Sequence, residues 1–135
     1  MKNISILFAC IGNSCRSQMA EGIAKHLSEG KVSVQSAGTK PEKRVTPLAV
    51  EVMKEIGIDI SNQNPKLISI EMLNTSTHFV SMGCGVQEAC PVPIGVSNIE
   101  DWDIEDPWGK DIQFFRKTRD IIKEKVENLL SKISD

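Results

Sequence analysis

The chain has 135 residues, of which 40% are hydrophobic, and a formal net charge of −2 at pH 7. This length supports one hydrophobic core, so we expect a single domain over residues 1–135. The small net charge gives no indication of a nucleic-acid or membrane partner. The apolar run over 4–9 is too short for a signal-peptide core or a membrane span. We therefore expect a cytoplasmic protein, where cysteines are normally reduced and four of them indicate redox or metal chemistry.

Strand and helix patterns alternate along the chain. Residues 4–9 predict a buried strand, and apolar residues at helical spacing predict a helix over 17–28 that ends before Gly30. The later predicted elements are a strand over 32–36, a helix over 47–57, a short helix over 69–73, a strand over 78–82, a fourth strand over 96–102 and a C-terminal helix over 115–133. This order predicts an α/β fold with a central four-stranded parallel sheet flanked by helices. Ligands of such sheets bind at the carboxyl ends of the strands.

The most informative segment is the loop between the first strand and the first helix. It reads Cys10-Ile11-Gly12-Asn13-Ser14-Cys15-Arg16-Ser17, and residues 10–17 are called the anion loop below. Backbone N–H groups of such a loop, together with a helix N-terminus, form a cradle for a tetrahedral oxyanion. The planar guanidinium of Arg16 can hold two oxyanion oxygens. The same positive field should lower the pKa of Cys10 and favour its nucleophilic thiolate. The alternative is a buried cysteine and an arginine that merely begins a helix.

Two cysteine pairs raise the possibility of zinc. Their spacings, Cys10-x4-Cys15 and Cys84-x5-Cys90, are wider than the usual gap in structural zinc sites. A metal bound to the first pair would also block the anion loop. We therefore expect neither a metal nor another cofactor.

The anion loop resembles that of the low-molecular-weight protein tyrosine phosphatases and of the related arsenate reductases. The phosphatases usually carry proline after the Arg-Ser pair, whereas Gln18 stands there in this chain, as in the reductases. A second segment, Met82-Gly83-Cys84-Gly85 followed by Cys90-Pro91, is also similar to reductases that use a three-cysteine relay. The resemblance covers nearly the whole chain.

The resemblance implies a reaction and its residues. Cys10 would attack the arsenic of arsenate, for which phosphate and sulfate are mimics, and Asp106 would protonate the departing oxygen. Cys84 and Cys90 would then carry the oxidation outward as disulfides to thioredoxin or a similar dithiol. Asn13 and Ser17 would support the loop and the thiolate. Asn13, Glu21 and Ser36 match positions that hold a potassium ion in some of the reductases. Lys66 stands where those relatives carry an acidic ligand, so that its ammonium could occupy the place of the cation; the alternative is a solvated surface lysine.

The relay requires motion near Cys84 and Cys90. A disulfide needs Cα atoms about 4.4–6.8 Å apart. Six steps of α-helix would separate these two by about 9 Å. We therefore predict that residues 83–93 rearrange on oxidation, with glycines as hinges at Gly83, Gly85 and Gly95.

Two other functions fit parts of the pattern. A tyrosine phosphatase needs the same loop and acid, although the two extra cysteines and the absence of tyrosine count against it. A thiol-based oxyanion or redox sensor could use Cys10 and Cys15. Such a sensor needs a partner surface that the sequence does not reveal.

Overall fold

The computed structural model describes residues 4–82 and 98–134. In chain order its elements are β1 (Ser5–Cys10), α1 (Arg16–Ser28), β2 (Ser33–Gly38), α2 (Pro47–Lys54), α3 (Ile70–Thr75), β3 (His78–Ser81), β4 (Asn98–Asp101) and α4 (Ile112–Ser134). The strands form a four-stranded sheet in the order β2-β1-β3-β4, and every pairing is parallel. The predicted four-stranded parallel sheet flanked by helices is confirmed.

Strand β1 lies inside the sheet and is buried on both faces. Its side chains alternate between the faces, as the two-residue period of a strand requires. Ile6 and Phe8 belong to the larger core with α1, α2 and α4, whereas Leu7 and Ala9 belong to a smaller core with Leu73 of α3. The continuous apolar run therefore fits a strand of a parallel sheet that helices cover on both sides.

The C-terminal helix follows its predicted apolar stripe. Phe115, Ile122 and Val126 of α4 are fully buried, in the same core as α1 and α2. Burying a side chain of this size stabilises a fold by about 1.5–3 kcal/mol. The stripe therefore holds α1, which begins at the anion loop, against the sheet.

The end of α2 differs from its prediction. The helix was expected to include Ile56 and to end at Gly57, but it ends at Lys54. The N–H groups of Ile56 and Gly57 each bond to the carbonyl three residues earlier, so the chain tightens before Gly57 takes a φ of +80°. Such bonds satisfy carbonyl groups at a helix end. The C-terminal helix begins at Ile112, three residues before its predicted start, and the remaining described elements begin and end within two residues of their predicted limits.

Within residues 4–82 and 98–134, no helix combines the length and apolar character needed to cross a membrane. The two predicted relay cysteines, Cys84 and Cys90, and the proposed glycine hinges lie outside the described residues.

Candidate active site

The anion loop lies at the carboxyl end of β1, where a parallel sheet places its ligands. It forms the floor of a cleft of about 270 Å³. The lining residues are Cys10, Ile11, Gly12, Asn13, Ser14, Cys15, Arg16, Glu42, Asp106 and Trp108. Cys10 and Arg16 are close in sequence, whereas Asp106 is distant from both. The fold brings all three into one cleft.

The backbone carbonyls of the anion loop are satisfied by a neighbouring segment. Residues 39–46 run beside the loop and donate four N–H bonds, from Thr39 to Cys10 O, Lys40 to Ile11 O, Glu42 to Gly12 O and Thr46 to Ser14 O. The approach depends on Gly38, because a Cβ there would lie 2.4 Å from Ile11 O. With these carbonyls bonded to residues 39–46, the loop N–H groups other than that of Asn13, which bonds to Cys10 Sγ, can serve an anion.

Helix α1 begins at the same point without a side-chain cap. Its N-cap residue, Cys15, makes no side-chain capping hydrogen bond, and the first turn carries no acidic residue. The first N–H groups of a helix have no partner within the helix and favour negative charge. The N-terminus of α1 therefore adds to the positive potential of the cleft.

Arg16 is 6% exposed and is anchored through one terminal nitrogen. Its Nη1 donates to Met82 O and, at 2.8 Å, to Ile104 O. Among the described residues, its Nε is the buried side-chain nitrogen that has no hydrogen-bond partner. A buried donor without a partner costs about 1–3 kcal/mol. A bound oxyanion would remove that cost, so the fixed guanidinium is suited to an anionic ligand.

Cys10 is buried, and its thiol contacts two donors. Its Sγ lies 2.9 Å from Ser17 Oγ and accepts a hydrogen bond from the Asn13 N–H at 3.1 Å. Burial raises the pKa of Cys10, and the bonds from Ser17 and Asn13 and the charge of Arg16 lower it without cancelling the burial. The prediction of a lowered Cys10 pKa is therefore wrong, because burial keeps this pKa above its usual value. The motif supplies stabilising contacts, but the closed surroundings of the sulfur outweigh them.

Ser17→Ala should raise the pKa of Cys10 further. The hydrogen bond from Ser17 lowers the pKa of Cys10 because it stabilises the thiolate, so its loss should move the pKa upward. The rate of Cys10 alkylation by iodoacetamide, followed by mass spectrometry from pH 5 to 11, would show the inflection moving to higher pH. Thr46→Val is a matched control, because Thr46 Oγ1 contacts Cys15 Sγ at 3.0 Å. An unchanged profile in Ser17→Ala would remove Ser17 from the support of the thiolate.

Asn13 is held in a left-handed conformation by its side chain. Its φ is +51°, an uncommon region that Asn tolerates better than most residues. Its Nδ2 donates to Ser17 Oγ at 2.8 Å and to Ser36 Oγ at 2.9 Å, while its Oδ1 accepts from the Lys66 N–H at 2.9 Å. These bonds connect Cys10, through Ser17 and Asn13, to β2.

The network continues from Ser36 to a buried carboxylate. Ser36 Oγ donates to Oε1 of Glu21, which is 3% exposed. Two lysines approach this carboxylate: Lys25 pairs with Oε2, and Lys66 Nζ lies 3.9 Å from Oε1. A buried carboxylate requires such compensation. Lys66 also donates to Asn64 O at 3.3 Å, so its ammonium is shared between two acceptors.

Gln18 supports the other side of the loop. It is fully buried, and its Nε2 donates to both oxygens of Asn13, at 2.9 Å to O and 3.0 Å to Oδ1. Gln63 in turn donates to Gln18 Oε1 at 2.8 Å. A proline at position 18 would have no side-chain donor. The glutamine therefore stabilises the left-handed turn at Asn13 directly.

Asp106 lies at the mouth of the cleft beside the arginine. Its Oδ2 is 3.6 Å from Arg16 Nη2, and its Oδ1 accepts from the Trp108 N–H at 3.1 Å. The carboxyl is about half exposed, so it can exchange protons with water. Trp108, which is 65% exposed, forms part of the cleft wall.

Three residues near the site were missed from the sequence. Lys25 could have been found, because it follows Glu21 by one helical turn, the spacing at which side chains pair. Glu42 and Gln63 gave no signal, because they reach Gly12 and Gln18, respectively, only through tertiary approach. No group of three or more His, Cys, Asp or Glu side chains in the described part of the chain is arranged to hold a metal ion.

A parallel sheet with a cysteine at a strand end and an arginine at a helix start is the arrangement typical of cysteine-dependent phosphatases. The chain belongs to the low molecular weight phosphotyrosine protein phosphatase family, whose model matches residues 5–135.

Several relatives within this family are named for arsenate reduction. The chain is 46% identical over 132 residues to a glutaredoxin arsenate reductase from Synechocystis, covering 96% of this chain and 98% of the relative. It superposes with a TM-score of 0.88 and 44% identity on an arsenate reductase in the phosphate binding state, covering 96% and 98% of the two chains. A thioredoxin-dependent arsenate reductase from Corynebacterium glutamicum gives a TM-score of 0.84 at 30% identity, covering 98% of this chain and 62% of the other.

Proposed function

We propose that this protein is an arsenate reductase that uses Cys10 as its nucleophile. The observation that carries the proposal is the cleft in which the Cys10 thiol lies with the unpartnered Nε of Arg16 at the uncapped N-terminus of α1. Full-length similarity to arsenate reductases supports the choice of arsenate over a phosphate ester. The reaction needs no resident metal or other cofactor, since the thiols supply the electrons.

The first step joins sulfur to arsenic. Arg16 and the loop N–H groups hold the oxyanion, and the Cys10 thiolate attacks arsenic, which is still in the +5 state. One arsenic–oxygen bond breaks, and Asp106 protonates the departing oxygen so that it leaves as water. Ser17 stabilises the thiolate before the attack, with its hydroxyl 2.9 Å from the sulfur.

The second step moves two electrons to arsenic. The Cys84 thiolate attacks Cys10 Sγ and forms a disulfide, while the sulfur–arsenic electron pair stays with arsenic and releases arsenite in the +3 state. Cys90 then attacks Cys84, frees the Cys10 thiolate and leaves a Cys84–Cys90 disulfide. An external dithiol reduces that disulfide. We propose a cytoplasmic setting, where such reductants maintain thiols.

We also propose that Lys66, together with Lys25, supplies the positive charge that a potassium ion supplies in some related reductases. The support is the approach of both ammonium groups to Glu21. The Lys66 N–H also donates to the Asn13 side chain, so the backbone of this residue contacts Asn13 while its ammonium lies near Glu21. Arsenate reduction should therefore proceed equally in sodium and potassium buffers.

The decisive experiment incubates the reduced protein with arsenate and a reducing system. We expect sustained arsenite formation with thioredoxin or with glutaredoxin and glutathione, measured separately because relatives of both kinds are similar to this chain. A parallel reaction with phosphotyrosine, followed by phosphate release, measures the competing phosphatase activity. Fast phosphate release without arsenite formation would contradict the proposal and favour a phosphatase.

A further inference from the structure

Glu42 places a carboxylate in a cleft that is otherwise arranged for anions. Its N–H bonds to Gly12 O at 2.9 Å, so its backbone is fixed beside the anion loop. Its side chain lies over Gly12, where a Cβ would come 3.2 Å from Glu42 Cγ and 3.9 Å from Oε2. Glu42 lines the anion cleft together with Arg16 and Asp106.

The charges in this cleft do not favour a dianion as strongly as the loop alone would. Of the side chains that line it, Arg16 is positive, whereas Glu42 and Asp106 are carboxylates. Asp106 lies against Arg16. Within residues 4–82 and 98–134, Glu42 has no ion pair, although Lys43 and Arg44 line the adjoining groove with it. An anion bound on the loop therefore lies near a carboxylate at the rim that no ion pair within the described residues neutralises.

We propose that Glu42 is a specificity-determining residue that disfavours dianions relative to monoanions. Coulomb energy scales with the charge of the ligand, so the same carboxylate penalises a dianion twice as much as a monoanion. Sulfate is a dianion, whereas arsenate near neutral pH is a mixture of monoanion and dianion. Glu42 therefore selects the protonated form of arsenate and discriminates against sulfate, which has the same tetrahedral shape. This inference deepens the proposed function, because it concerns the same cleft.

The test compares two tetrahedral anions of different charge at one pH. Binding of sulfate and of perrhenate, a monoanion, is measured from the protection of Cys10 against iodoacetamide at constant ionic strength. For an exposed charge several ångströms from the ligand, Glu42→Gln should tighten perrhenate binding about twofold and sulfate binding about fourfold. The fold-change for sulfate should equal the square of that for perrhenate, a relation that a change of shape alone would not produce.

Two variants separate charge from structure. Glu42→Asp keeps the carboxylate and should bind both anions about as the unmodified protein does. Glu127→Gln changes the net charge equally on α4, where Glu127 pairs with Lys123 outside the cleft, and should alter neither affinity. Equal fold-changes for the two anions, or none, in Glu42→Gln would overturn the proposal. Because neither anion is reduced by the thiols in this assay, that failure would be distinct from a failure of arsenate reduction.

Discussion

Cys10→Ser should reduce arsenite formation to the uncatalysed rate. A hydroxyl is a poor nucleophile without an adjacent base, and the described contacts of this position are a serine hydroxyl and a backbone N–H. The loss has a second cause in the proposed relay. The electrons that reduce arsenic come from sulfur, and a serine oxygen cannot form the disulfide with Cys84. Arsenite measured over many equivalents of thioredoxin would show the loss.

The same variant should still bind anions. The guanidinium of Arg16 is anchored on the carbonyls of Met82 and Ile104 and does not depend on the sulfur. Sulfate should therefore raise the thermal unfolding temperature of Cys10→Ser and of the unmodified protein, because a ligand that binds the folded state stabilises it. Sustained turnover by Cys10→Ser would mean that another residue is the nucleophile.

The anion loop could be predicted from sequence because its parts are contiguous. The chain direction places residues 10–17 at the carboxyl end of β1, and two local periodicities define the strand before them and the helix after them. Residue types within the loop then indicate the chemistry. The end of α2 was missed by a few residues because the competing turn bonds near Ile56 leave no clear trace in an apolar pattern.

The electrostatic balance of the site could not be predicted in the same way. The motif identifies the groups that stabilise a Cys10 thiolate, but the opposing effect of burial depends on how completely distant segments cover the sulfur. Glu42 likewise reaches Gly12 only because residues 39–46 run along the anion loop. The pKa of Cys10 and the charge of the cleft therefore depend on groups that the tertiary structure brings to the anion loop, and no local sequence pattern identifies those groups.

Cys90→Ser should form about one arsenite per protein chain and then stop. In the proposed relay, Cys84 alone completes the reduction of arsenic by attacking Cys10, and Cys90 is needed only to transfer the oxidation outward. Cys10 is 3% exposed, so a Cys10–Cys84 disulfide would be poorly accessible to a reductant protein. Cys84→Ser should stop one step earlier and release no arsenite, because the sulfur–arsenic bond then has no thiolate to break it.

Mass spectrometry of the digested product gives the sharper measurement. Cys90→Ser should contain a Cys10–Cys84 disulfide after a single arsenate, whereas the unmodified protein without reductant should contain Cys84–Cys90. Because each disulfide requires a short Cα separation, Cys84 has to occupy two positions in turn, and residues 83–93 should change their hydrogen-exchange protection between the reduced and oxidised protein. Sustained turnover of Cys90→Ser with thioredoxin would show that the reductant reaches Cys10–Cys84 directly, and the third thiol would then have no part in the relay.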